Sequence, residues 1–341
     1  MSNNVKNKSL SDVGSTEELI SFLDSGFKNK CHDYYHHFTN FSKLEKVLET
    51  GNWRFTPDST KNDLHEYNVK ESFEKRNKIL SVSLSRCDED NMAMWAMYSI
   101  PWEDAVRITL TKEAVLKWRK IVMNYAKKND KVDYVKLHDI IYYQGFTDDG
   151  DNNNNSLIID GQTKEGIKEE LFSEIQHPDR LSSYIKNSAW KQEQESRLSI
   201  FFKEDCKKTV DIPFGKAFPF ILNNMIITFG PWTSENMIKK KMDRVIDILC
   251  KKRIKFAYHY VHKLNLKMYT NDNRNNTFNT LSELRGSNDS PDAILPGRGL
   301  IFSTSPLSEY LKLRRHCDVC PWEHATRTVH NLDGNDSFWI K

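Results

Sequence analysis

The chain has 341 residues, and 50 Lys and Arg nearly balance 47 Asp and Glu, which leaves a net charge of +3 and excludes nucleic-acid binding by overall charge alone. At roughly 150 residues per domain the length allows two domains or one large core with additions, and 8 Trp, 13 Tyr and 18 Phe supply bulky core side chains. The 13 glycines form neither G-x-G-x-x-G nor G-x-x-x-x-G-K-S/T, which excludes the glycine-rich phosphate loops of the common nucleotide-binding folds.

The N-terminal part of the chain predicts a helix followed by a strand, a helix and a second strand. A capping box predicts a short amphipathic helix over residues 16 to 24. The aromatic run 33–39 is typical of a strand. A second capping box begins at Ser42 and predicts a helix that ends at Gly51, and residues 53–56 then read as a strand.

The middle of the chain predicts two further strands and a long helix. Residues 79–85 alternate apolar and hydroxyl side chains, as in a strand with one polar face. The alternation puts three hydroxyls side by side: Ser81, Ser83 and Ser85. Residues 105–110 predict a strand, and apolar residues near helical spacing predict a helix over 111–127.

The following segment combines a predicted strand, a loop, a helix and a charged strand. Residues 137–143 predict a strand, and the Gly, Asp and Asn of 148–155 predict an exposed loop. The pattern of 164–188 is helical, and 193–202 alternates with the period of a strand. One face of that last strand carries three charged residues, which need water or a cleft: Glu193, Glu195 and Arg197.

The remaining elements complete a mixed α+β pattern. Residues 221–229 predict a strand, 234–249 an amphipathic helix and 254–262 a closing strand. We expect three parts: an N-terminal helical extension over 1–30, a main domain over 31–268, and a linker with a C-terminal appendage over 269–341.

The chain ends and the cysteines predict a cytoplasmic protein. The polar segment 1–14 lacks the apolar core of a secretory signal. No stretch approaches the roughly 20 apolar residues of a membrane span. Six scattered cysteines in a chain of this size fit a reducing compartment better than a disulfide framework.

Three predicted strands carry side chains that suit one kind of pocket. The first has His36 and His37, the second the hydroxyls Ser83 and Ser85, and the third the carboxylates of a Glu-x-Glu motif. A histidine and hydroxyls can hold a ribose, and a carboxylate can offset the positive charge that develops at its anomeric carbon. We therefore expect these strands to form a site for a ribose-containing substrate.

The chain also resembles a bacterial family, domain of unknown function 2971, over about 34 to 262. The residues that carry this resemblance are Asn62-Asp63-Leu64-His65-Glu66, Ser83-Leu84-Ser85, Met94-Trp95-Ala96-Met97-Tyr98, Trp190-x-x-Glu193-x-Glu195-x-Arg197 and Ile226-Ile227-Thr228-Phe229-Gly230-Pro231. This family has no assigned activity, so the resemblance identifies a domain rather than a reaction.

A more distant resemblance supplies an activity. Tyr35-His36-His37-Phe38-Thr39, before the helix that ends at Gly51, is similar to the opening strand and helix of ADP-ribosyltransferases. Their ordered signature is Arg or His on a first strand, Ser-x-Ser on a second and Glu-x-Glu on a later one. The resemblance implies an α+β fold with ADP-ribosyltransferase-like mixed sheets forming a cleft, flanking helices and a C-terminal appendage. It also implies NAD as the donor substrate.

The same resemblance implies roles for individual residues. His37 would hold a ribose hydroxyl of NAD, although His36 is an alternative because adjacent strand residues face opposite ways. Glu195 would stabilise the oxocarbenium ion as nicotinamide leaves, and Glu193 would orient or deprotonate the acceptor. The remaining residues assigned to the NAD site are Ser83 and Ser85 in the nicotinamide pocket, Trp95 and Tyr98 as stacking rings, and Arg197 as a partner of Glu193 or of the diphosphate.

These inferences predict a toxin of a toxin–antitoxin or anti-phage defence system that transfers ADP-ribose to a macromolecule, with an antitoxin protein as a further partner. The runs 239–241 and 251–253 favour RNA over protein as the acceptor, with help from the aromatic residues Phe256, Tyr258 and Tyr260. A solvated helix face is the plainer interpretation of both runs.

Two other functions remain open. A metal-dependent nuclease would gather Asp63, Glu66, Glu193 and Glu195 around magnesium, and a non-enzymatic sensor would use only the aromatic and basic surface. The C-terminal pattern C-x2-C-x3-H-x5-H offers zinc four ligands: Cys317, Cys320, His324 and His330. Because the gap between its pairs is shorter than in finger domains, the sequence favours reduced cysteines with no metal role.

Overall fold

The computed structural model describes residues 32–58, 78–86, 91–147, 156–159, 162–168, 183–206, 208–254, 256–264, 297–303, 327–330 and 337–340. The strands within these ranges are β1 (Tyr34–Asn40), β2 (Asn52–Pro57), β3 (Ile79–Ser85), β4 (Ala105–Thr111), β5 (Val132–Asp139), β6 (Ile141–Thr147), β7 (Ser156–Ile159), β8 (Gln162–Lys168), β9 (Ile185–Asn187), β10 (Glu195–Phe202), β11 (Val210–Pro213), β12 (Met225–Phe229), β13 (Phe256–Leu264), β14 (Gly297–Ser303), β15 (Arg327–His330) and β16 (Ser337–Ile340). The α-helices are α1 (Phe41–Thr50), α2 (Met92–Tyr98), α3 (Lys112–Ala126), α4 (Phe218–Asn223) and α5 (Glu235–Lys251). The protein is therefore mixed α+β, and most of its strands pair antiparallel.

The chain divides into two compact units. The described residues of Arg54–Arg86 and Arg119–Ile212 form the first unit, and those of His32–Trp53, Cys87–Trp118 and Pro213–Lys341 form the second. Each unit is assembled from segments that are distant in sequence, so its core depends on non-local pairing.

The first unit contains β10, the strand that carries the candidate catalytic residues. β10 pairs antiparallel with β3 on one side, from Glu195↔Ser85 to Phe201↔Ile79, and with β5 on the other. β2 continues this sheet through Thr56↔Ser81. A smaller sheet has the order β8-β7-β6-β9, and its β6–β9 pair is parallel.

The second unit is built on an antiparallel sheet with the order β1-β4-β12-β14-β13-β15-β16. β14 lies between β12 and β13, with Ile226↔Ile301 and Tyr260↔Leu300 in register. This strand comes from the part of the sequence for which we predict a linker and an appendage. Its apolar centre, which includes the buried Leu300, gives it a place inside the sheet.

Helix boundaries in the second unit follow from local capping. Asn40 begins α1, because its side chain accepts a hydrogen bond from the Lys43 backbone N–H at 3.1 Å. The predicted cap Ser42 instead donates to Asn40 Oδ1 at 2.9 Å. Gly51 ends the helix as predicted, with φ +70° and a hydrogen bond from its N–H to Val47 O at 2.8 Å. Ser234 caps α5 in the same way as Asn40 caps α1.

Two predicted elements differ from the structure. The helix expected over 164–188 is wrong at 164–168 and 185–187, where β8 and β9 lie, although 183–184 are helical. The strand expected over 221–229 begins only at Met225, because α4 occupies Phe218–Asn223. Pro219 in the first turn of α4 favours helix initiation there. The predicted helices over 111–127 and 234–249 are confirmed within a few residues.

Candidate active site

One face of β10 carries alternating polar side chains at the centre of the first unit's sheet. The residues on this face are Glu195, Arg197 and Ser199, and their register partners on β3 are Ser85, Ser83 and Ser81. The other face carries Leu198, Ile200 and Phe202, which are all buried. The predicted separation of a charged and an apolar face is therefore confirmed for β10. Because β10 has a neighbour on both sides, its charged residues lie inside the unit rather than at a solvated edge.

Arg197 and Glu195 form a bidentate ion pair along this face. Arg197 Nε donates to Glu195 Oε1 at 2.7 Å, and Nη2 donates to Oε2 at 3.0 Å. The Arg197 side chain is 1% exposed and that of Glu195 is 5% exposed. Asp58 Oδ2 lies 3.7 Å from Arg197 Nη1, and Asp58 also accepts a hydrogen bond from the Ser81 hydroxyl. The guanidinium therefore holds the Glu195 carboxylate by hydrogen bonds and places a positive charge near that of Asp58 in a buried site.

Lys186 of β9 joins the two carboxylates of the Glu-x-Glu motif. Its Nζ donates to Glu193 Oε2 at 2.7 Å and to Glu195 Oε2 at 3.4 Å. The Lys186 side chain is 5% exposed, and its ammonium lies 4.8 Å from the centre of the Trp190 ring. This lysine therefore balances charge in a place that water barely reaches.

Glu193 reaches Lys186 because the chain turns immediately before β10. Glu193 is the last residue of a 3-10 helix, Ser188–Glu193, and not the first residue of a strand. Gln194 follows it in the left-handed region with φ +43°. The Ser85 hydroxyl donates to the Glu193 carbonyl oxygen at 2.7 Å, which ties this turn to β3. Glu193 and Glu195 therefore contact the same ammonium group although only Glu195 belongs to the strand.

Tyr142 holds the first residue of β10 from the other side. Its hydroxyl oxygen accepts a hydrogen bond from the Glu195 backbone N–H at 2.7 Å. Burial raises the pKa of Tyr142 well above its usual range, and the nearby negative charges of Glu195 and Glu193 add to the increase. The phenol therefore stays protonated and neutral at physiological pH.

His138 lies opposite Arg197 on β5 and stays uncharged. Burial lowers the pKa of His138 from 6.5 to about 3, and the positive charges of Lys136 and Arg197 reinforce the effect. Its Nε2 lies 3.1 Å from Ser199 Oγ, and its ring packs edge-on against Tyr184 at 4.5 Å. The imidazole is therefore a neutral hydrogen-bonding group at neutral pH.

The two predicted histidines lie on opposite faces of β1 in the second unit. His36 is 1% exposed, and its Nδ1 lies 2.9 Å from Oγ1 of its register partner Thr109. His37 packs its ring against Trp53 at a centroid distance of 5.3 Å. Trp53 in turn contacts Trp118 in the apolar core of this unit. His37, which is half-buried, therefore faces the Trp53 side of β1, and His36 faces the opposite side, which is also buried.

Trp95 and Tyr98 belong to α2 and pack on the face of β1 that carries His36. Trp95 is 1% exposed and contacts Phe38 edge-on at 5.0 Å. Phe38 lies two residues after His36 and so shares its face. The guanidinium of Arg107 lies 5.6 Å from the Trp95 ring centre, and Tyr98 packs against the same cluster. Of the two histidines, His36 is therefore the one grouped with the predicted stacking rings.

The lysines of the basic runs 239–241 and 251–253 differ in exposure and in ion pairing. Lys241 is 4% exposed, and its ammonium donates to the Glu103 carbonyl oxygen and lies 3.0 Å from Asp104 Oδ1. Lys251 pairs with Asp247 at 2.7 Å. Lys239 and Lys240 are exposed on α5. Lys241 therefore cannot contribute to a surface patch, which is a correction to the prediction for 239–241.

Several predicted residues lie outside the described part of the chain. These are Asp63 and Glu66, the N-terminal helix over 16–24, Cys317, Cys320 and His324. For His330 only the backbone, in β15, is described. Among the side chains that the structure describes, no group of three or more His, Cys, Asp or Glu is arranged to hold a metal ion.

The sequence did not predict four residues of the polar cluster: Asp58, His138, Tyr142 and Lys186. His138 carried a usable signal, because it has a polar residue two positions before it and lies in 137–143, where one strand is expected and the end of β5 and the start of β6 are found. Lys186 had none, since its surroundings resembled a helix. The membership of Lys186 and His138 in the cluster follows only from the pairing of β9 with β6 and of β5 with β10.

No helix among the described residues is long and apolar enough to cross a bilayer. Comparison of the whole chain with protein-family models, with curated protein sequences and with solved structures found no match.

Proposed function

We propose that the protein is an NAD-dependent ADP-ribosyltransferase with Glu195 as its catalytic carboxylate. The observation that carries this proposal is the direct pairing of Ser85 with Glu195 on adjacent antiparallel strands. In the family of the distant resemblance, a Ser-x-Ser strand and a Glu-x-Glu strand act on one ligand. The pairing of β3 with β10 brings the two corresponding strands of this chain side by side. We extend the proposal to an ADP-ribosyltransferase-like arrangement of the fold.

The proposed reaction breaks the glycosidic bond between C1′ of the ribose and the nicotinamide nitrogen. The bonding electron pair leaves with nicotinamide, positive charge develops at C1′, and a lone pair of the acceptor forms the new bond. In sum, NAD and an acceptor that bears a hydrogen at the attacking atom yield the ADP-ribosyl acceptor, nicotinamide and a released proton. The Glu195 carboxylate stabilises the developing charge, and its burial strengthens this effect because little water screens it.

The neighbours of Glu195 have orienting roles in this proposal. Arg197 holds both carboxylate oxygens of Glu195, so it fixes the carboxylate rather than the diphosphate of NAD. Ser85 ties Glu193 to β3 and lines the proposed nicotinamide site with the half-buried Ser83. For the ribose contact both histidines stay candidates, because His36 is 1% exposed with its Nδ1 2.9 Å from Thr109 Oγ1, while His37 is half-buried against the Trp53 ring.

We also propose a toxin of bacterial defence, kept inactive by an antitoxin, as the biological setting. A transferase that modifies macromolecules must be restrained in its own cell. Production of the wild-type chain in bacteria is expected to stop growth, and the Glu195→Gln variant is expected to permit it. Equal growth arrest by both chains would contradict a toxicity that depends on transfer.

Incubation with radiolabelled NAD and bacterial lysate tests the transferase proposal. We expect label in macromolecules with the wild-type chain and a loss of about 100-fold or more with Glu195→Gln. Glu204→Gln is the matched control, because Glu204 is an exposed glutamate of the same unit and is expected to leave transfer unchanged. The absence of label, or full labelling by Glu195→Gln, would contradict the proposal. Chelator-sensitive cleavage of RNA without NAD would instead support a nuclease.

A further inference from the structure

We propose that the outward side of α3 is a docking surface for the phosphodiester backbone of a nucleic acid. This surface, the lysine face, consists of four exposed lysines of α3 and of the turn that follows it: Lys117, Lys120, Lys127 and Lys128. The proposal goes beyond the transferase function, since binding here needs neither NAD nor Glu195. Neither resemblance gives these lysines a role.

The positive charge of the chain is concentrated on this helix. Residues 112–128 contain six basic side chains and one acidic side chain, a local excess of five positive charges. The whole chain has an excess of only three, so all the other residues together carry an excess of two negative charges. A basic stripe on an otherwise slightly acidic chain is the electrostatic footprint of a site for a polyanion.

Helical periodicity places the lysines on one side of α3. The inward side consists of residues with no exposed surface: Ala114, Val115, Trp118 and Val122. Lys120 and Lys127 follow Lys117 at intervals of three and ten residues, which keeps all three on the outward side. The Lys127 backbone N–H donates to Met123 O at 3.0 Å, so the helical turn continues to Lys127. At 1.5 Å per residue, the face extends for about 15 Å along the helix axis.

The protein does not neutralise the lysine face itself. Within the part of the chain that the structure describes, no carboxylate forms an ion pair with any of the four lysines. The next lysine along the chain differs, because Lys131 Nζ lies 3.5 Å from Glu204 Oε2. The Lys117 ammonium lies 6.0 Å from the centre of the exposed Phe220 ring, a contact that leaves its charge in place. The four ammonium groups are therefore available to an anionic partner.

The composition of the lysine face favours a nucleic acid over an acidic protein or a membrane. Centres of protein interfaces are rich in aromatic side chains and arginine and poor in lysine, whereas the exposed apolar residues of α3 are Leu116 and Met123. The apolar side of α3 is buried in the protein, so it is not available for insertion into a bilayer. A duplex presents roughly nine phosphates over about 15 Å of its axis, and lysines bind them as point charges without reading the sequence.

Fluorescence anisotropy of labelled RNA and DNA duplexes tests the proposal with the full chain and without NAD. We expect binding that weakens about 100-fold between about 50 and about 200 mM salt, because four phosphate contacts release about four counterions. The duplex that binds more tightly identifies the source of the phosphates. Equally tight binding of polyglutamate, or binding of phosphatidylserine vesicles but of neither duplex, would overturn the proposal. So would the absence of duplex binding at the lower salt concentration.

Paired variants locate the surface. The double variant Lys117→Gln, Lys120→Gln is expected to weaken duplex binding by about tenfold or more and to reduce the slope of log K against log salt by about two. The matched control is Lys239→Gln, Lys240→Gln, which removes the same charge from two exposed lysines of α5. We expect this control to weaken binding by less than about threefold. Equal effects of the two double variants would show that overall charge drives binding, and would overturn the proposal.

The outcomes separate this proposal from the transferase function. A wild-type chain that transfers ADP-ribose but binds neither duplex would overturn the lysine face alone. A chain that binds duplexes through the lysine face but releases no nicotinamide from NAD would overturn the transferase proposal alone. Because the four substituted side chains are exposed, circular dichroism of both double variants is expected to match that of the wild type.

Discussion

Two arginine–carboxylate pairs in the first unit have nearly the same geometry and very different surroundings. Arg197 binds Glu195 through hydrogen bonds of 2.7 and 3.0 Å, and Arg54 binds Asp211 through hydrogen bonds of 2.8 and 3.0 Å. The side chains of the first pair are 1% and 5% exposed, and those of the second are 58% and 43% exposed. The two pairs therefore differ mainly in their burial and in the charges around them.

Burial changes what each pair contributes. The hydrogen bond from Arg54 lowers the pKa of Asp211, but solvent screens this pair, and it can form and break at little cost. The Arg197–Glu195 pair lies beside Lys186 and Asp58, so removal of one member leaves other charges without compensation in a site with little water. A buried ion pair thus adds little to the free energy of unfolding compared with apolar side chains. Removal of one partner, however, lowers that free energy strongly.

The largest effect is expected from breaking the buried pair. Arg197→Met should lower the free energy of unfolding by about 3–5 kcal/mol, because Glu195 and Asp58 lose their common partner. Urea unfolding followed by circular dichroism measures this change. The double variant Arg197→Met, Glu195→Gln should recover part of the loss, since it removes one of the uncompensated charges. A loss under about 1 kcal/mol for Arg197→Met would show that burial does not control the pair.

An intermediate effect is expected from the neutral histidine beside Arg197. The pKa of His138 is lowered to about 3 in the folded chain, so between that value and 6.5 only the unfolded chain binds the proton. Stability contributed through His138 is therefore present near neutral pH and is lost as the pH falls. With these two values the loss between about pH 7 and about pH 5 is about 2 kcal/mol.

Urea unfolding of the wild type and of His138→Gln at both pH values measures that contribution. The variant should lose about 2 kcal/mol less than the wild type on acidification, whatever its stability at neutral pH. Equal losses in the two chains would mean that His138 is not held neutral by its surroundings.

The smallest effect is expected at the exposed pair. Arg54→Met should change the free energy of unfolding by less than about 1 kcal/mol, and added salt should reduce even that difference. Urea unfolding at low and high ionic strength measures both effects. A loss as large as that of Arg197→Met would contradict the role assigned to burial.

The sequence predicted the polar face of the site because strand alternation is a local property. The spacing of Glu195 and Arg197 assigns both to one face, and Ser83 and Ser85 follow the same rule on β3. The alternation also assigns Glu193 to this strand, but the position of Glu193 depends on the left-handed residue Gln194, which spacing alone does not reveal. The prediction was therefore right about the face and wrong about where the strand begins.

The sequence could not predict the charge balance of the site. Lys186 reaches the two glutamates only because β9 pairs in parallel with β6, through contacts such as Ile141↔Ile185. The surrounding residues have a helical pattern, and non-local strand pairing overrides it. Strand alternation likewise places His36 and His37 on opposite faces of β1 without indicating which of them would contact a ligand.

The central claim is that the face shared by Ser85 and Glu195 binds and activates NAD. A crystal structure of the full chain with a non-cleavable NAD analogue tests it most directly. We predict a hydroxyl of the nicotinamide ribose within about 3.2 Å of a Glu195 carboxylate oxygen and the nicotinamide beside Ser85. An analogue bound without contact to Glu195, or no binding at a saturating concentration, would contradict the claim.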